Sequence, residues 1–439
     1  MKILLKSISA AVPDGEFGFP EIRQCDIGVE GDKISFVGEA PADFIPDRIV
    51  NGADRLVIPG LVNAHTHAAM TLLRHRADDL PFMTWLFDNI FPMEDRLRKG
   101  NDDCRGDCYW GTMLGICEML RSGTTCFNDM YMFMDDIVRA CAESGLRAVL
   151  SQGVTNAGCD EAAALAKLDA AASDIRKYHG TENGRLTFLL APHAAYTCSP
   201  EYVKLIAGRA KELGVGIHTH ISESRDENAQ IKENYGRTPF EYFESLGLFE
   251  LPTTAAHCVH LTEKDIEIAA KYGVSVATNP VSNLKLSNGA APVKRLLAAG
   301  VNVALGTDGA ASNNSLNMIR EMGYLCLVHK GVNEDAECVP AAQGLHIATM
   351  GGAMALGLGE WIGSIEAGKK ADLAILNLNY SHFTPRSNLL AALCYGAQGN
   401  EVETVLVDGE ILLENGRLTR LDEERIRWEA QRVAGRICS

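Results

Sequence analysis

The chain has 439 residues, 46% of them hydrophobic and 22% charged, with a formal net charge of -16. That composition belongs to a well-packed globular protein, too long for one ordinary compact domain but suited to a barrel-sized domain with a smaller companion. The negative balance argues against a nucleic-acid binder or a protein of anionic membrane surfaces, because both need a basic patch.

The first 56 residues alternate short β-type runs with turns, as in ILLKSISAAV and CDIGVEGDKISFVGE. GDKISFVGE reads as a hairpin arm. The apolar run at the N-terminus is broken by Lys6 and is too short to span a bilayer. From residue 57 the texture changes to short apolar strands alternating with helical stretches, the mark of βα units around a parallel sheet. The strands read LVIPGLVNAH, GTTCFNDM, RAVLSQGV, LTFLLAPH, VGIHTHIS, TTAAHCVH, VSVATNPV and NVALGTDG. Helices such as PEYVKLIAGRAKELG and EKDIEIAAKYG fill the gaps and end in Gly, as helix C-termini prefer. Eight such units over residues 57–364 predict a (β/α)8 TIM barrel of the α/β class. A doubly wound sheet fits less well, because no glycine-rich phosphate loop follows a strand. Residues 365–425 return to strands around Asp-Gly and Asn-Gly turns (ADLAILNL, VETVLVDGEILLENGRL). Residues 1–56 and 365–425 are therefore expected to form one small β-sandwich domain built from both chain ends, with a C-terminal helix over 426–439. Thirteen cysteines, an odd count without a Cys-x-x-Cys pair, read as reduced thiols in a cytoplasmic protein.

In a barrel the active site is built at the C-terminal ends of the strands. His65 and His67 stand at the end of the first strand and His193 at the end of the fourth. The fifth carries His218 and His220 with Glu223 three residues on, the sixth His257 and His260, and the eighth ends in Asp308. Scattered core histidines would not sort this way. Imidazoles with a carboxylate suit a divalent transition metal that keeps a position open for water. Such a metal lowers the pKa of its water, and a nearby carboxylate such as Glu223 can move protons. His218, two residues before His220 on the same strand face, is expected to support the ligands or pack rather than bind, and His260 to lie in a loop.

Taken together, PGLVNAHTH, HTHISE, AHCVHL, NPVSNLKLSNG and GTDGAASNN resemble the amidohydrolase superfamily, in its aminohydrolase and chlorohydrolase branch. Within it they are most similar to the 5'-methylthioadenosine/S-adenosylhomocysteine deaminases, over essentially the whole chain. The resemblance implies His65, His67, His220 and Asp308 as metal ligands, and Glu223 as the proton shuttle to a ring nitrogen. It implies that His257 orients the attacking water and that Asp308 also accepts its proton. It implies His193 as a substrate contact, and Trp85 and Glu94 closing over the substrate, with Glu94 accepting from both ribose hydroxyls. Glu223 and Asp308 would touch the substrate as well as catalyse. The fourth strand offers no lysine to carry a bridging carboxylate, so one metal ion is expected, zinc first, with iron and manganese fitting similar sites. One departure stands out: Gln152 occupies a position where these deaminases often have arginine. A neutral amide makes no ion pair with a carboxylate, so a charged 5' tail is expected to bring no advantage.

The expected activity is hydrolytic deamination of an adenine nucleoside: 5'-methylthioadenosine, S-adenosylhomocysteine, 5'-deoxyadenosine or adenosine. The same machinery could instead act on guanine, 8-oxoguanine or an s-triazine, none of which offers Glu94 a diol. A catalytically dead barrel used in assembly is disfavoured because every ligand and proton-transfer residue is retained. The partner is a small molecule, with neither nucleic acid nor membrane expected. The stretch WLFDNIFPM suits a lid or the interface of a homo-oligomer.

Overall fold

The computed structural model describes residues 1–15, 18–101 and 104–438. The chain opens with β1 (Lys2–Pro13), β2 (Pro20–Glu30), β3 (Lys33–Gly38), β4 (Arg48–Asn51) and β5 (Arg55–Pro59). The parallel strands follow: β6 (Leu61–Thr66), β7 (Thr124–Tyr131), β8 (Arg147–Val154), β9 (Leu186–Phe188) with β10 (Ala191–Pro192), β11 (Ile217–Ile221), β12 (Thr253–His257), β13 (Ser275–Thr278) and β14 (Val303–Leu305). β15 (Leu373–Asn377), β16 (Val402–Val407), β17 (Glu410–Glu414) and β18 (Arg417–Leu418) complete the strands.

β6 to β10 and β11 to β14 form two parallel arcs. Bridges at Leu190–Ile217 and Ala194–His220 join them on one side. On the other, the Asp308 N–H donates to the His65 carbonyl at 3.0 Å, and Asn63 exchanges hydrogen bonds of 2.7 and 3.0 Å with Thr307. The arcs therefore close into a barrel. β6, β7, β11 and β12 are buried along their whole length, as expected where helices cover a parallel sheet. The helices Pro200–Leu213 and Glu263–Tyr272 stop at Gly214 and Gly273, which take φ of 67° and 65°, a left-handed conformation natural to glycine.

The run LVIPGLVNAH, a single strand by its pattern, serves two sheets. β5 pairs with β1 and β15 and ends at Pro59, whereas β6 starts at Leu61 and pairs with β7. A Cβ at Gly60 would lie 2.0 Å from the Thr125 hydroxyl, so only glycine fits the crossing. The strands from both chain ends join in one nine-stranded sheet. It curls so that the Ile34 N–H reaches the Lys369 carbonyl, enclosing a core of Ile3, Leu5, Ile27, Val57, Leu373 and Ile375. Arg147, at the start of β8, locks barrel to sheet through a two-pronged buried contact with Asp372 at 2.8 and 3.1 Å, and it also pairs with Asp408. The C-terminal helix spans Glu423–Ile437 and packs on the barrel, with Arg436 paired to Asp107 and Arg121 to Glu423.

Candidate active site

The strand ends converge on a cavity of about 530 Å³ lined by His67, His193, His220, Glu223, His257 and Asp308, with Trp85 and Glu94 in its wall. His65 is fully buried just beneath. The ligand atoms of His65, His67 and His220 lie within 4.8 Å of one another, as do those of His65, His257 and Asp308. His65 Nε2 and His67 Nε2 each stand 3.3 Å from Asp308 Oδ1, and His220 Nε2 is 3.3 Å from His67 Nε2.

The outer nitrogens of these rings are all engaged. His67 Nδ1–H donates to the Met130 carbonyl at 2.5 Å, and His220 Nδ1–H to that of His193 at 2.7 Å. His65 Nδ1 meets His218 Nε2 at 2.9 Å, His218 Nδ1 meets Ser151 Oγ at 3.3 Å, and Ser151 donates to the Asp129 carbonyl at 3.0 Å. Each ring thereby turns an Nε2 lone pair inward, the tautomer a metal requires. Burial pushes the His65 pKa down to about 3 and that of His220 well below its ordinary value, so both are neutral at physiological pH. Ser282 and Ser312 each donate to Asp308 Oδ2 at 2.6 Å, leaving Oδ1 to face the imidazoles. His65 Nε2 is buried without a hydrogen-bond partner among the described residues. Neutral imidazoles, a carboxylate and an orphaned inward nitrogen fit a divalent transition ion.

Backbone geometry supports this crowding. His257 and Asp308 adopt left-handed φ of 69° and 61°, an unfavourable conformation of the kind that concentrates at functional sites. Gly306 lets β14 approach β6, because a Cβ there would lie 2.4 Å from Asn279 Oδ1 and 2.9 Å from His65 Cβ.

Glu223 Oε2 lies 3.7 Å from His257 Nε2, and its Oε1 accepts from Asn288 Nδ2 at 3.2 Å. Burial, and then the Asp308 charge, push the Glu223 pKa well above the ordinary carboxylate value. A group so poised can hold a proton near neutrality and give it up. His257 Nδ1–H donates to Asn283 Oδ1 at 2.8 Å, so its Nε2 presents a lone pair to the cavity. Glu94 follows the helical stretch Thr84–Ile90. Its Oε1 and Trp85 Nε1 are buried without hydrogen-bond partners among the described residues. Burial raises the Glu94 pKa to about 7.

Gln152 does not join this group. β8 turns Ser151 toward His218 and brings Gly153 and Thr155 to the cavity, and Gln152, between them, is not among its lining residues. Strand alternation accounts for this. His218 supports a ligand from behind, through His65, and His260 lies outside the cavity wall. The residues that reading by strand ends missed come mostly from one segment. Within NPVSNLKLSNG, Ser282 holds Asp308, Asn283 holds His257 and Asn288 holds Glu223. The density of Asn and Ser in that segment was the available signal.

Residues 56–412 match the profile of the amidohydrolase family. A Moorella thermoacetica protein named 5-methylthioadenosine/S-adenosylhomocysteine deaminase is 47% identical over 428 residues, 97% of each chain. One of the same name from Syntrophomonas wolfei is 44% identical over 438 residues, covering 100% of this chain and 99% of its own. Among solved structures, an adenosine deaminase from Xanthomonas campestris with bound zinc superposes with a TM-score of 0.90 at 34% identity, covering 99% of this chain and 98% of its own. An atrazine chlorohydrolase from Arthrobacter aurescens complexed with zinc gives a TM-score of 0.90 at 24% identity, over 98% of this chain and 100% of its own. That second likeness speaks to the fold alone.

Proposed function

The chain belongs to the amidohydrolase family, and from that membership we propose that it deaminates adenine nucleosides hydrolytically. The substrates are 5'-methylthioadenosine, S-adenosylhomocysteine, 5'-deoxyadenosine or adenosine. The C6–N bond breaks, a C6–O bond forms, and ammonia leaves. One observation carries the reading. A buried carboxylate oxygen without a partner, Glu94 Oε1, shares one cavity with the histidine and Asp308 cluster and with Glu223. The Tyr131 side chain acts on this carboxylate and pulls against the rise in its pKa, and a ribose diol supplies two further donors; a free base or a triazine does not.

His65, His67, His220 and Asp308 hold the metal in this reading, a single zinc ion. When bound, the ion lowers the pKa of water toward neutrality and supplies the nucleophile. Glu223 gives its proton to N1 of the purine, which makes C6 electrophilic. The lone pair on His257 Nε2 accepts a hydrogen from the attacking water and aims it at C6. Asp308 takes up one proton of the water and passes it to the departing amine, which leaves as ammonia, while Glu223, having protonated N1, recovers a proton from the C6 hydroxyl as the C6 carbonyl forms. His193 and Trp85 flank the nucleoside. The described cysteines are all free, which accords with a reducing, cytoplasmic setting. No helix among the described residues is long and apolar enough to cross a membrane.

The test is ammonia release from a panel of the four nucleosides, guanine, 8-oxoguanine and an s-triazine. Turnover of at least one nucleoside above every free base supports the proposal. Turnover confined to guanine, 8-oxoguanine or the triazine would overturn it.

A further inference from the structure

The cavity wall carries four carboxylates, Glu94, Asp95, Glu223 and Asp308, and among its described residues one ammonium, Lys167, with no arginine. Lys167 lies on the helix Glu161–Tyr178 and is half-buried. Its Nζ donates to Cys159 Sγ at 3.0 Å, and no carboxylate among the described residues pairs with it. A thiol sulfur is a weak acceptor, so this cation keeps most of its hydrogen-bonding capacity for something else. The loop leading to its helix also lines the cavity, through the small residues Thr155 and Ala157. An ammonium at the cavity wall that no carboxylate among the described residues pairs with favours an anion of matching reach.

We infer that Lys167 is the counter-ion for an anionic 5' substituent, so that the site prefers adenine nucleosides whose 5' tail ends in a carboxylate. The inference rests on the deaminase reading above and reverses the expectation drawn from Gln152. The positive charge is supplied from the helix after β8 instead of from β8 itself. A lysine is a point charge on a flexible stem rather than a rigid fork. The site therefore tolerates carboxylate tails of differing length, with or without an amine.

Steady-state kinetics and calorimetric binding with S-adenosylhomocysteine and 5'-methylthioadenosine test this, using wild type, Lys167→Met and Lys167→Gln. Lys167→Met should lower kcat/KM for S-adenosylhomocysteine about 10-fold or more, mainly through KM, and leave 5'-methylthioadenosine within twofold. Lys167→Gln keeps a polar group at the helix surface and should behave alike, which separates loss of charge from misfolding. A 5'-(2-carboxyethylthio) adenosine, with carboxylate but no amine, should respond as S-adenosylhomocysteine does. Raising the salt concentration should erode the wild-type preference and leave the variants unchanged. An equal effect on both nucleosides, or none on either, would overturn the role of Lys167. Should wild type deaminate neither nucleoside, the deaminase reading fails, while the ratio of the two binding constants in wild type and variant still decides the lysine.

Discussion

His218 Nε2 stands 2.9 Å from His65 Nδ1, so a histidine outside the ligand cluster sets the tautomer of one within it. The order runs from the Asp129 carbonyl through the Ser151 hydroxyl and the His218 ring to His65. Each donor has one acceptor, and the final nitrogen, His65 Nε2, is left as a lone pair facing the cavity. His218→Phe removes the acceptor and keeps a planar ring. It should weaken zinc binding about 10- to 100-fold, as outer partners of metal ligands usually do. Ser151→Ala should have a smaller effect in the same direction. Competition with a chromogenic chelator reads both without recourse to activity. Unchanged zinc affinity in His218→Phe would mean that the contact is packing alone.

Glu223 is held from both sides, by Asn288 on Oε1 and opposite His257 on Oε2. Glu223→Gln preserves shape and removes the titrating proton. It should lower kcat by about 10²- to 10⁴-fold and leave zinc content unchanged. Asn288→Ala releases one oxygen and should cost less in kcat, with a shifted pH profile, because the carboxylate loses a donor that favours its charged form. Loss of zinc from Glu223→Gln would place this residue among the ligands instead.

Much of this site was legible before any coordinates, because barrel topology converts strand ends into neighbours. His65 in β6 with His67 just after it, His220 in β11, His257 in β12 and Asp308 after β14 meet in one site for that reason alone. The segments that position them were not. Nothing in local periodicity says that Asn283 reaches back to His257 or that Ser312 caps Asp308, since those contacts depend on how a loop folds over a neighbouring strand end. Lys167 was invisible for the same reason: it lies on a helix whose pattern reads as an ordinary solvent-facing surface. LVIPGLVNAH misled in another way. Its apolar run is continuous, but the crossing at Gly60 is imposed by the close approach of Thr125, a tertiary fact with no local signature.

Glu94 is buried, its pKa is raised to about 7, and one oxygen lacks a partner among the described residues. An ionised carboxylate accepts from both hydroxyls of a diol; a protonated one spends an oxygen on its own proton. The charged form prevails above about pH 7, so KM for 5'-methylthioadenosine should fall as pH rises from 6 to 8. The 2',3'-dideoxy analogue should have a higher KM and a flatter profile. Glu94→Gln should raise KM for the ribonucleoside about 10-fold or more and flatten its profile too. An analogue without hydroxyls that binds as well as the ribonucleoside at pH 8 would remove the diol contact from the account.

Glu227 sets a pH dependence of stability in the opposite sense from the common one. It is buried, its Oε2 accepts the Glu223 backbone N–H at 2.8 Å, the Ser222 backbone also acts on the carboxylate, and its Oε1 has no well-formed hydrogen bond among the described residues. Burial, with the neighbouring Glu223 charge, outweighs the Glu223 and Ser222 backbone hydrogen bonds and raises its pKa from 4.5 to about 8. The folded chain therefore holds this proton more tightly than the unfolded chain. The contribution to stability is complete below pH 4.5 and is lost progressively up to about pH 8. The slope is at most about 1.4 kcal/mol per pH unit. Glu227→Gln mimics the protonated acid and carries no titrating group. Its melting temperature relative to wild type should rise steadily between pH 5.5 and 8 and level off above. Comparing the two proteins at each pH cancels the titration of the histidine cluster, which they share. A constant difference across that range would place the Glu227 pKa in the ordinary carboxylate range, with the carboxylate stabilised by the Glu223 N–H despite its burial.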